Sequence, residues 1–194
     1  MTLPPALDDL GERICVIGPS TSGKSTLAAA IGHSRGLPVV HLDQYRHRPG
    51  TAWVECPDDE FAALHGDAVR CERWVIEGNY SRWLPERLDR ATGVVLLDAT
   101  TPTSVLRYLR RTWSPVDRIG GLEGTRDRVS LAMLRFLLGP ARAGRLRLFR
   151  AFESVDAPKL LLPDRRALER FRRENGLPEY APATRGAVRT GRRR

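Results

Sequence analysis

The apolar residues of this chain fall into five short runs, separated by longer stretches of mixed polarity. The runs are rich in β-branched residues and leucine, whereas several stretches between them space apolar residues three and four positions apart. This alternation is typical of a parallel α/β sheet whose strands are joined by helices. The predicted strands cover residues 13–17, 37–42, 73–77, 93–97 and 157–162.

Helices are predicted between these strands. The first begins at Lys24 and is expected to stop at Gly32. Residues 114–124 contain a proline and three glycines and are predicted to be a loop that can move. From Gly176 onward Pro, Gly, Ala, Thr and Arg dominate, which predicts a disordered tail. The other predicted helices cover residues 58–70, 80–91, 103–112, 126–138, 141–152 and 164–175, the last with Asp164 as its N-cap.

Length and composition fit an ordinary globular protein. The 194 residues are 41% hydrophobic and 28% charged, enough for one domain with a sizeable core. No apolar stretch is long enough to span a bilayer, and the N-terminal residues do not read as a secretory signal. The three cysteines show no CxxC spacing and the histidines no metal-ligand spacing, so we expect reduced thiols, a cytoplasmic location and no structural zinc.

The net charge of +9 favours anionic ligands without choosing among them. Of the 32 basic residues, only Lys24 and Lys159 are lysine. An arginine bias of this size is spread along the chain and is typical of genome-wide composition. The charge alone therefore does not predict nucleic-acid binding.

One motif has a specific chemistry. Residues 18–25 read GPSTSGKS, a full match to GxxxxGK[ST], and they lie between a predicted strand and a predicted helix. In such a P-loop, glycines let backbone N–H groups converge on phosphate oxygens, and the helix N-terminus points at the same place. Lysine supplies a point charge to the β and γ phosphates, and the serine hydroxyl binds Mg²⁺. The predicted ATP ligands are Gly18, Pro19, Ser20, Thr21, Ser22, Gly23, Lys24, Ser25 and Thr26.

Three predicted strands end in acids, at the edge where an open parallel sheet binds its ligands. Asp43 follows the second strand and is predicted on the acceptor side, as a substrate ligand or a general base. Glu77 ends the third strand and is predicted, with Ser25, to hold Mg²⁺. Asp98 follows the fourth strand and is equally well explained as a turn or capping residue.

Two further segments carry a resemblance to a known family. Residues 41–53 read HLDQYRHRPGTAW and residues 74–80 read WVIEGNY. With the P-loop, these segments resemble the bacterial DNA topology modulation proteins, which are adenylate-kinase-like P-loop proteins and are often labelled AAA family ATPases. The resemblance runs from about residue 14 to residue 111, and more weakly to the last predicted helix. One departure is Glu77, where the family usually has aspartate.

The resemblance implies a P-loop NTPase three-layer sandwich with a five-stranded parallel sheet, as in nucleotide kinases. It places a substrate region between the second and third strands and a lid, here about residues 107–126, after the fourth. The expected organisation is a kinase-like domain over residues 1–175 and a basic tail over residues 176–194. The expected acceptor-side residues are Asp43, Tyr45, Trp53, Asn79 and Tyr80.

Arginines of the lid are the remaining catalytic candidates. Arg107 and Arg111 form an i, i+4 pair on one helix face, and similar pairs in adenylate-kinase-like enzymes contact the transferring phosphates. Arg118 and Arg126 can join them when the loop closes. The loop that begins at residues 162–165 is expected, from its position alone, to cup the adenine.

These observations predict a kinase that moves the γ-phosphoryl group of ATP, with Mg²⁺, to an unidentified small molecule or nucleotide. A regulatory P-loop NTPase is one alternative, although no guanine-recognition NKxD motif is present. Another is a DNA topology modulation protein whose basic tail contacts nucleic acid through Arg185, Arg189 and residues 192–194. No helix-turn-helix or other nucleic-acid motif supports it. His41, in a predicted buried strand, is expected to be a core residue.

Overall fold

The computed structural model describes residues 5–51, 53–99, 101–112 and 139–178. Helices and strands are numbered along these ranges. The strands are β1 (Arg13–Ile17), β2 (Val39–His41), β3 (Trp74–Glu77), β4 (Gly93–Leu97) and β5 (Lys159–Leu162). The helices are α1 (Lys24–Arg35), α2 (Leu42–Arg46), α3 (Asp58–Arg70), α4 (Leu84–Arg90), α5 (Thr101–Thr112), α6 (Pro140–Glu153) and α7 (Arg165–Glu174).

The five strands form one parallel sheet in the order β2-β3-β1-β4-β5. β1 lies at its centre, with Val16 opposite Glu77 of β3 on one side and opposite Val95 of β4 on the other. β2 pairs with β3 so that His41 stands opposite Glu77. The carboxyl ends of all the strands therefore share one edge, where an open sheet of this kind binds its ligands. The predicted α/β fold with a five-stranded parallel sheet is confirmed.

The sheet is covered on both faces, which explains why its strands read as continuous apolar runs. Alternate residues of β1 point to opposite faces, so Ile14 and Val16 belong to one core cluster and Cys15 and Ile17 to the other. Residues of α1 and α7 pack in the first cluster, and residues of α3, α4 and α6 pack in the second. The result is a three-layer sandwich.

The predicted end of α1 at Gly32 is wrong. The helix continues to Arg35 and ends at Gly36, whose φ of 60° is the left-handed conformation that glycine adopts at helix ends. Gly32 lies inside the helix and is packed tightly. A Cβ at this position would come within 2.1 Å of Val39 Cγ2 and 2.9 Å of the Leu37 carbonyl oxygen. This glycine is needed for close packing of α1 on the chain that leads into β2.

Two other predicted boundaries change near the ligand-binding edge. The second strand is shorter than predicted, because Leu42 begins the short helix α2 instead of ending β2. The predicted helix over residues 80–91 begins only at Leu84, and Pro85 lies in its first turn. Proline is tolerated there because the first N–H groups of a helix have no partner within it.

The C-terminal part of the domain is close to its prediction. Asp164 caps α7, since its side chain accepts a hydrogen bond from the Ala167 N–H at 2.8 Å. The packed domain reaches slightly beyond residue 175, because Leu177 is buried in the same core cluster as Phe171. The predicted mobile loop at 114–124, the helix at 126–138 and the tail from residue 179 lie outside the described residues. Among those described, no helix is long and apolar enough to cross a membrane.

Candidate functional site

The glycine-rich loop joins the central strand β1 to helix α1. Gly18 has a φ of 148°, and a Cβ on it would lie 2.3 Å from the carbonyl oxygen of Leu97 in the neighbouring strand. Gly23 precedes α1 with a φ of 101°. Both conformations favour glycine, and at Gly18 there is also no room for a side chain. The two glycines of the motif therefore shape the loop, and α1 begins directly behind it.

Contacts from neighbouring elements hold this loop. The Gly18 N–H donates to Asn79 Oδ1 at 3.1 Å, which ties the start of the loop to the turn after β3. The Thr21 hydroxyl donates to the Ser104 carbonyl of α5 at 3.1 Å. Lys24 Nζ donates to the Pro19 carbonyl at 2.9 Å, so the ammonium group lies against the loop itself. All nine residues predicted to bind the nucleotide lie in this loop or in the first turn of α1.

A buried carboxylate lies beside the start of α1. Glu77 is only 3% exposed, and its Oε1 accepts one hydrogen bond from Ser25 Oγ and another from His41 Nδ1, each at 2.9 Å. The two residues predicted as metal ligands, Ser25 and Glu77, are therefore in direct contact. His41 reaches the same oxygen because the parallel register places it opposite Glu77.

The surroundings of Glu77 keep it ionised. Burial by itself raises the pKa of this carboxyl, but the hydrogen bond from His41, the charge of Lys24 and the hydrogen bond from Ser25 together lower it below its usual value. The ionised carboxylate accepts the bonds from His41 and Ser25, and its negative charge also attracts a cation. Ser25 Oγ and the Glu77 carboxylate are hard oxygen donors of the kind that Mg²⁺ prefers.

The chemistry of these donors fits Mg²⁺ better than a transition metal. Within the described ranges, no group of three or more His, Cys, Asp or Glu residues could hold a metal ion. Zinc sites usually require three or four such ligands, whereas Mg²⁺ keeps several waters and takes one or two protein oxygens together with substrate phosphates. Ser25 and Glu77 are a donor set of the second kind.

Asp43 and Tyr80 form a second polar pair, which follows His41 and Glu77 closely in the sequence. Asp43, on α2, accepts a hydrogen bond from the Tyr80 hydroxyl at 2.7 Å. Burial and the neighbouring Asp43 charge raise the pKa of Tyr80 far above its usual value, so the phenol keeps its proton and donates. The turn after β3 thus reaches both parts of the site, since Asn79 contacts the P-loop and Tyr80 contacts Asp43.

A buried arginine supports this turn. Arg87, on α4, is fully buried and donates to the carbonyl oxygens of Gly78 and Asn79. No carboxylate in the described part of the chain lies within ion-pair distance of its guanidinium group. Burial lowers the pKa of Arg87, and the negative charge of Glu77 and of other neighbouring groups opposes this effect. The turn therefore has a fixed backbone from which both Asn79 and Tyr80 extend.

Backbone strain is concentrated in the same region. Among the described residues other than glycine, three have a positive φ: Thr21 at 64°, Trp53 at 61° and Tyr80 at 35°. One lies in the P-loop, and the other two belong to the predicted acceptor side. Strained conformations of this kind persist where the surrounding structure holds them, and they cluster at functional sites.

The aromatic residues predicted on the acceptor side pack against different neighbours. Trp53 packs edge-on against His47, with ring centroids 5.1 Å apart. Tyr45 is partly buried against the core cluster that includes Phe61. Tyr80 packs on Phe61 at 4.9 Å, so only part of its ring is available to a ligand.

Several predicted residues have no described side chain or have another role. Arg107 and Arg111 lie on α5, but their side chains are outside the described part of the structure, as are Arg118 and Arg126 altogether. Asp98 forms an ion pair with Arg145, with both carboxylate oxygens engaged, and so joins the end of β4 to α6.

Two residues of the site were missed by sequence reasoning. His41 was expected to be a core histidine, but it is hydrogen-bonded to the buried Glu77. The signal was available in the sequence, because parallel strands that both end in polar residues bring those residues to one edge. Arg87 had no such signal in a chain with so many arginines.

Comparison with known proteins adds little to this geometry. No family model matches the chain, and no curated protein matches it. Twenty-two chains of solved structures match it. One is a gluconokinase from Sinorhizobium meliloti 1021, with 18% identity and a TM-score of 0.47 over 86% of this chain and 95% of that one. Values this low assign no activity to this chain, and the resemblance to DNA topology modulation proteins stays a prediction.

Proposed function

We propose that this protein is a Mg-ATP-dependent phosphotransferase that moves the γ-phosphoryl group of ATP to a small acceptor. The observation that carries the proposal is the contact of Ser25 Oγ with the buried Glu77 carboxylate, directly behind the P-loop. A glycine-rich loop alone offers a cradle for an anion. The hydroxyl and the carboxylate beside it add the oxygen donors that nucleotide-bound Mg²⁺ requires.

The polyphosphate would bind to the backbone of the loop. The N–H groups of residues 20–25 and the N-terminus of α1 supply donors and a partial positive charge at one place. Lys24 would exchange its bond to the Pro19 carbonyl for the β and γ phosphates. This exchange costs little, because a carbonyl oxygen is replaced by a charged acceptor that binds an ammonium group more strongly.

Ser25 and Glu77 would be the residues that hold Mg²⁺. The ion, when bound, neutralises negative charge on the transferring phosphoryl group. His41 fixes the Glu77 carboxylate by donating to Oε1, and such supporting bonds typically decide how well a metal ligand is oriented. Asp43 would lie on the acceptor side, and Arg107 and Arg111 of α5 would stabilise charge on the phosphates.

A phosphoryl-transfer screen tests this function. The purified protein is incubated with γ-labelled ATP, Mg²⁺ and a panel of nucleosides, nucleoside monophosphates, sugars and small metabolites. We expect label to appear on an acceptor, and Lys24→Ala to lower the rate by roughly two to three orders of magnitude, since a charge aimed at the transition state is lost. Circular dichroism of the variant should match that of the unchanged protein.

The same screen separates a kinase from a regulatory NTPase. In the absence of an acceptor, a kinase should hydrolyse ATP only slowly. Water then takes the place of the acceptor hydroxyl and is not held there for attack. Rapid ATP hydrolysis that no acceptor accelerates would contradict the proposal and favour a regulatory NTPase.

A further inference from the structure

The geometry of the Asp43–Tyr80 pair points to the chemical class of the acceptor. We propose that this site phosphorylates a hydroxyl group on an uncharged molecule, a sugar or a nucleoside, and does not phosphorylate a nucleoside monophosphate or another phosphate monoester. The inference rests on the phosphotransferase proposed above. It adds the identity of the group that attacks the γ phosphorus.

The first argument is the need for a base. A phosphate monoester has lost its protons by neutral pH, since its second pKa is about 6, and it can attack without a base. An alcohol is protonated at that pH and reacts faster when a carboxylate takes its proton in the transition state. Asp43 offers such a carboxylate. The Tyr80 hydroxyl donates a hydrogen bond to its Oδ1 at 2.7 Å, which fixes the orientation of the carboxylate.

The second argument is the state of the nearby arginines. Binding of a phosphate dianion usually requires an arginine with its donors available. In the described part of this region, Arg46 bonds to both Glu55 and Asp58, and Arg48 bonds to both oxygens of Glu60. Burial by itself would lower the pKa of Arg46, but the hydrogen bonds that it donates to Asp58 and Glu55 raise its pKa above the usual value. These two guanidinium groups are already neutralised by carboxylates.

The local charge points the same way. The chain has a net charge of +9, yet the segment of residues 42–60 contains five carboxylates and only two arginines. The segment that carries Asp43 is thus acidic, and counting Arg82, which bonds to Asp58 from outside it, still leaves more carboxylates than arginines. A phosphate monoester would therefore meet Asp43 and surplus negative charge, whereas an uncharged hydroxyl compound would not be repelled.

The step balances with ATP as the only co-reactant. The acceptor oxygen forms a bond to the γ phosphorus while the bond from that phosphorus to the β,γ-bridging oxygen breaks. The electron pair of the broken bond leaves with ADP. The acceptor proton passes to the carboxylate of Asp43 and from there to water, which leaves the enzyme in its starting state.

The test compares each uncharged compound with its own monophosphate. Adenosine and thymidine are assayed against AMP and dTMP, and glucose and ribose against their phosphates, with labelled ATP and the full-length protein. We expect transfer to one or more of the uncharged compounds and none to the phosphates. Comparison of the nucleoside assays with the sugar assays identifies which kind of molecule bears the accepting hydroxyl.

Asp43→Asn should change the rate of transfer in opposite directions for the two classes of acceptor. With a hydroxyl acceptor, Asp43→Asn should lower kcat by roughly a hundredfold to ten-thousandfold while the Kd for MgATP stays within about twofold. Tyr80→Phe should lower kcat by about tenfold through loss of the bond to a charged group. With a phosphate acceptor, Asp43→Asn would remove a repulsion and speed transfer. The control Asp89→Asn removes the same charge from an exposed position on α4, outside this segment, and should leave kcat unchanged.

Failure of this inference is distinguishable from failure of the proposed function. Transfer to a monophosphate, a faster Asp43→Asn enzyme, or MgATP binding without transfer to any uncharged hydroxyl compound would overturn the acceptor class. Absence of MgATP binding would overturn the phosphotransferase proposal together with it.

Discussion

At the residue scale, two buried titratable groups make the stability of this protein depend on acid. Glu77 has a lowered pKa in the folded protein, so its contribution to stability is present above its unfolded pKa and is lost as pH falls through the lower, folded value. His65 acts in the same direction, but at higher pH, because the ordinary pKa of histidine is higher than that of a carboxyl. It is fully buried on α3 beside Phe61, and burial together with the Arg87 charge lowers its pKa to about 4.

The His65 shift predicts a loss of stability in mild acid. The unfolded chain takes up a proton on this histidine near pH 6.5, whereas the folded protein does so only near pH 4. Acid between these values therefore favours the unfolded state, and the penalty stops growing below about pH 4. We expect the free energy of unfolding to fall by about 1 to 2 kcal/mol between pH 7 and pH 5 from this residue alone.

His65→Leu should remove that part of the pH dependence, because leucine is close in volume and does not titrate. Urea unfolding of both proteins at several pH values, followed by circular dichroism, measures the difference. A parallel fall in both proteins between pH 7 and pH 5 would show that His65 is not responsible. The Glu77 contribution acts at lower pH and does not interfere.

At the element scale, helix α1 shows what sequence patterns can and cannot give. Its start at Lys24 follows from the motif, but its end does not follow from glycine alone, because Gly32 and Gly36 are four residues apart and only the second ends the helix. Gly32 differs from Gly36 because it packs against the chain before and within β2. No local sequence pattern shows that contact. The same limit applies to His41, whose partner Glu77 is distant in sequence and adjacent only through strand register.

Matched glycine-to-alanine substitutions test the packing explanation. Alanine in place of a helical glycine ordinarily stabilises a helix by about 0.5 to 1 kcal/mol. Gly144, inside α6, has open space where a Cβ would stand and should show that gain. At Gly32 the added methyl would collide with Val39 and the Leu37 carbonyl, so Gly32→Ala should cost about 1 to 3 kcal/mol.

Denaturant unfolding of the two variants beside the unchanged protein gives both values. Opposite signs are expected for the same chemical change in two helices. A stabilising Gly32→Ala would mean that α1 and β2 are not in close contact there.

At the scale of the whole molecule, the sheet could be predicted because it depends on local signals, and the place of the candidate nucleotide site follows from a local motif. Five apolar runs and one glycine-rich motif predicted the fold class, and the motif indicated the end of β1 as the candidate site. The acceptor side depends on contacts between residues far apart in sequence, such as Asp43 with Tyr80. Arg87 is hidden for another reason, because only burial distinguishes it from the other arginines.

The central claim of this account is that the P-loop binds MgATP. Calorimetric titration of the purified protein with ATP, with and without Mg²⁺, measures this directly. We expect saturable binding that Mg²⁺ strengthens. Lys24→Ala should weaken it by at least about tenfold through loss of one charge-assisted contact. Arg173→Ala, which removes the same charge from an exposed position at the far end of α7, should leave binding unchanged. No detectable heat or saturation with MgATP, or equal affinity in the unchanged protein and Lys24→Ala, would contradict the account.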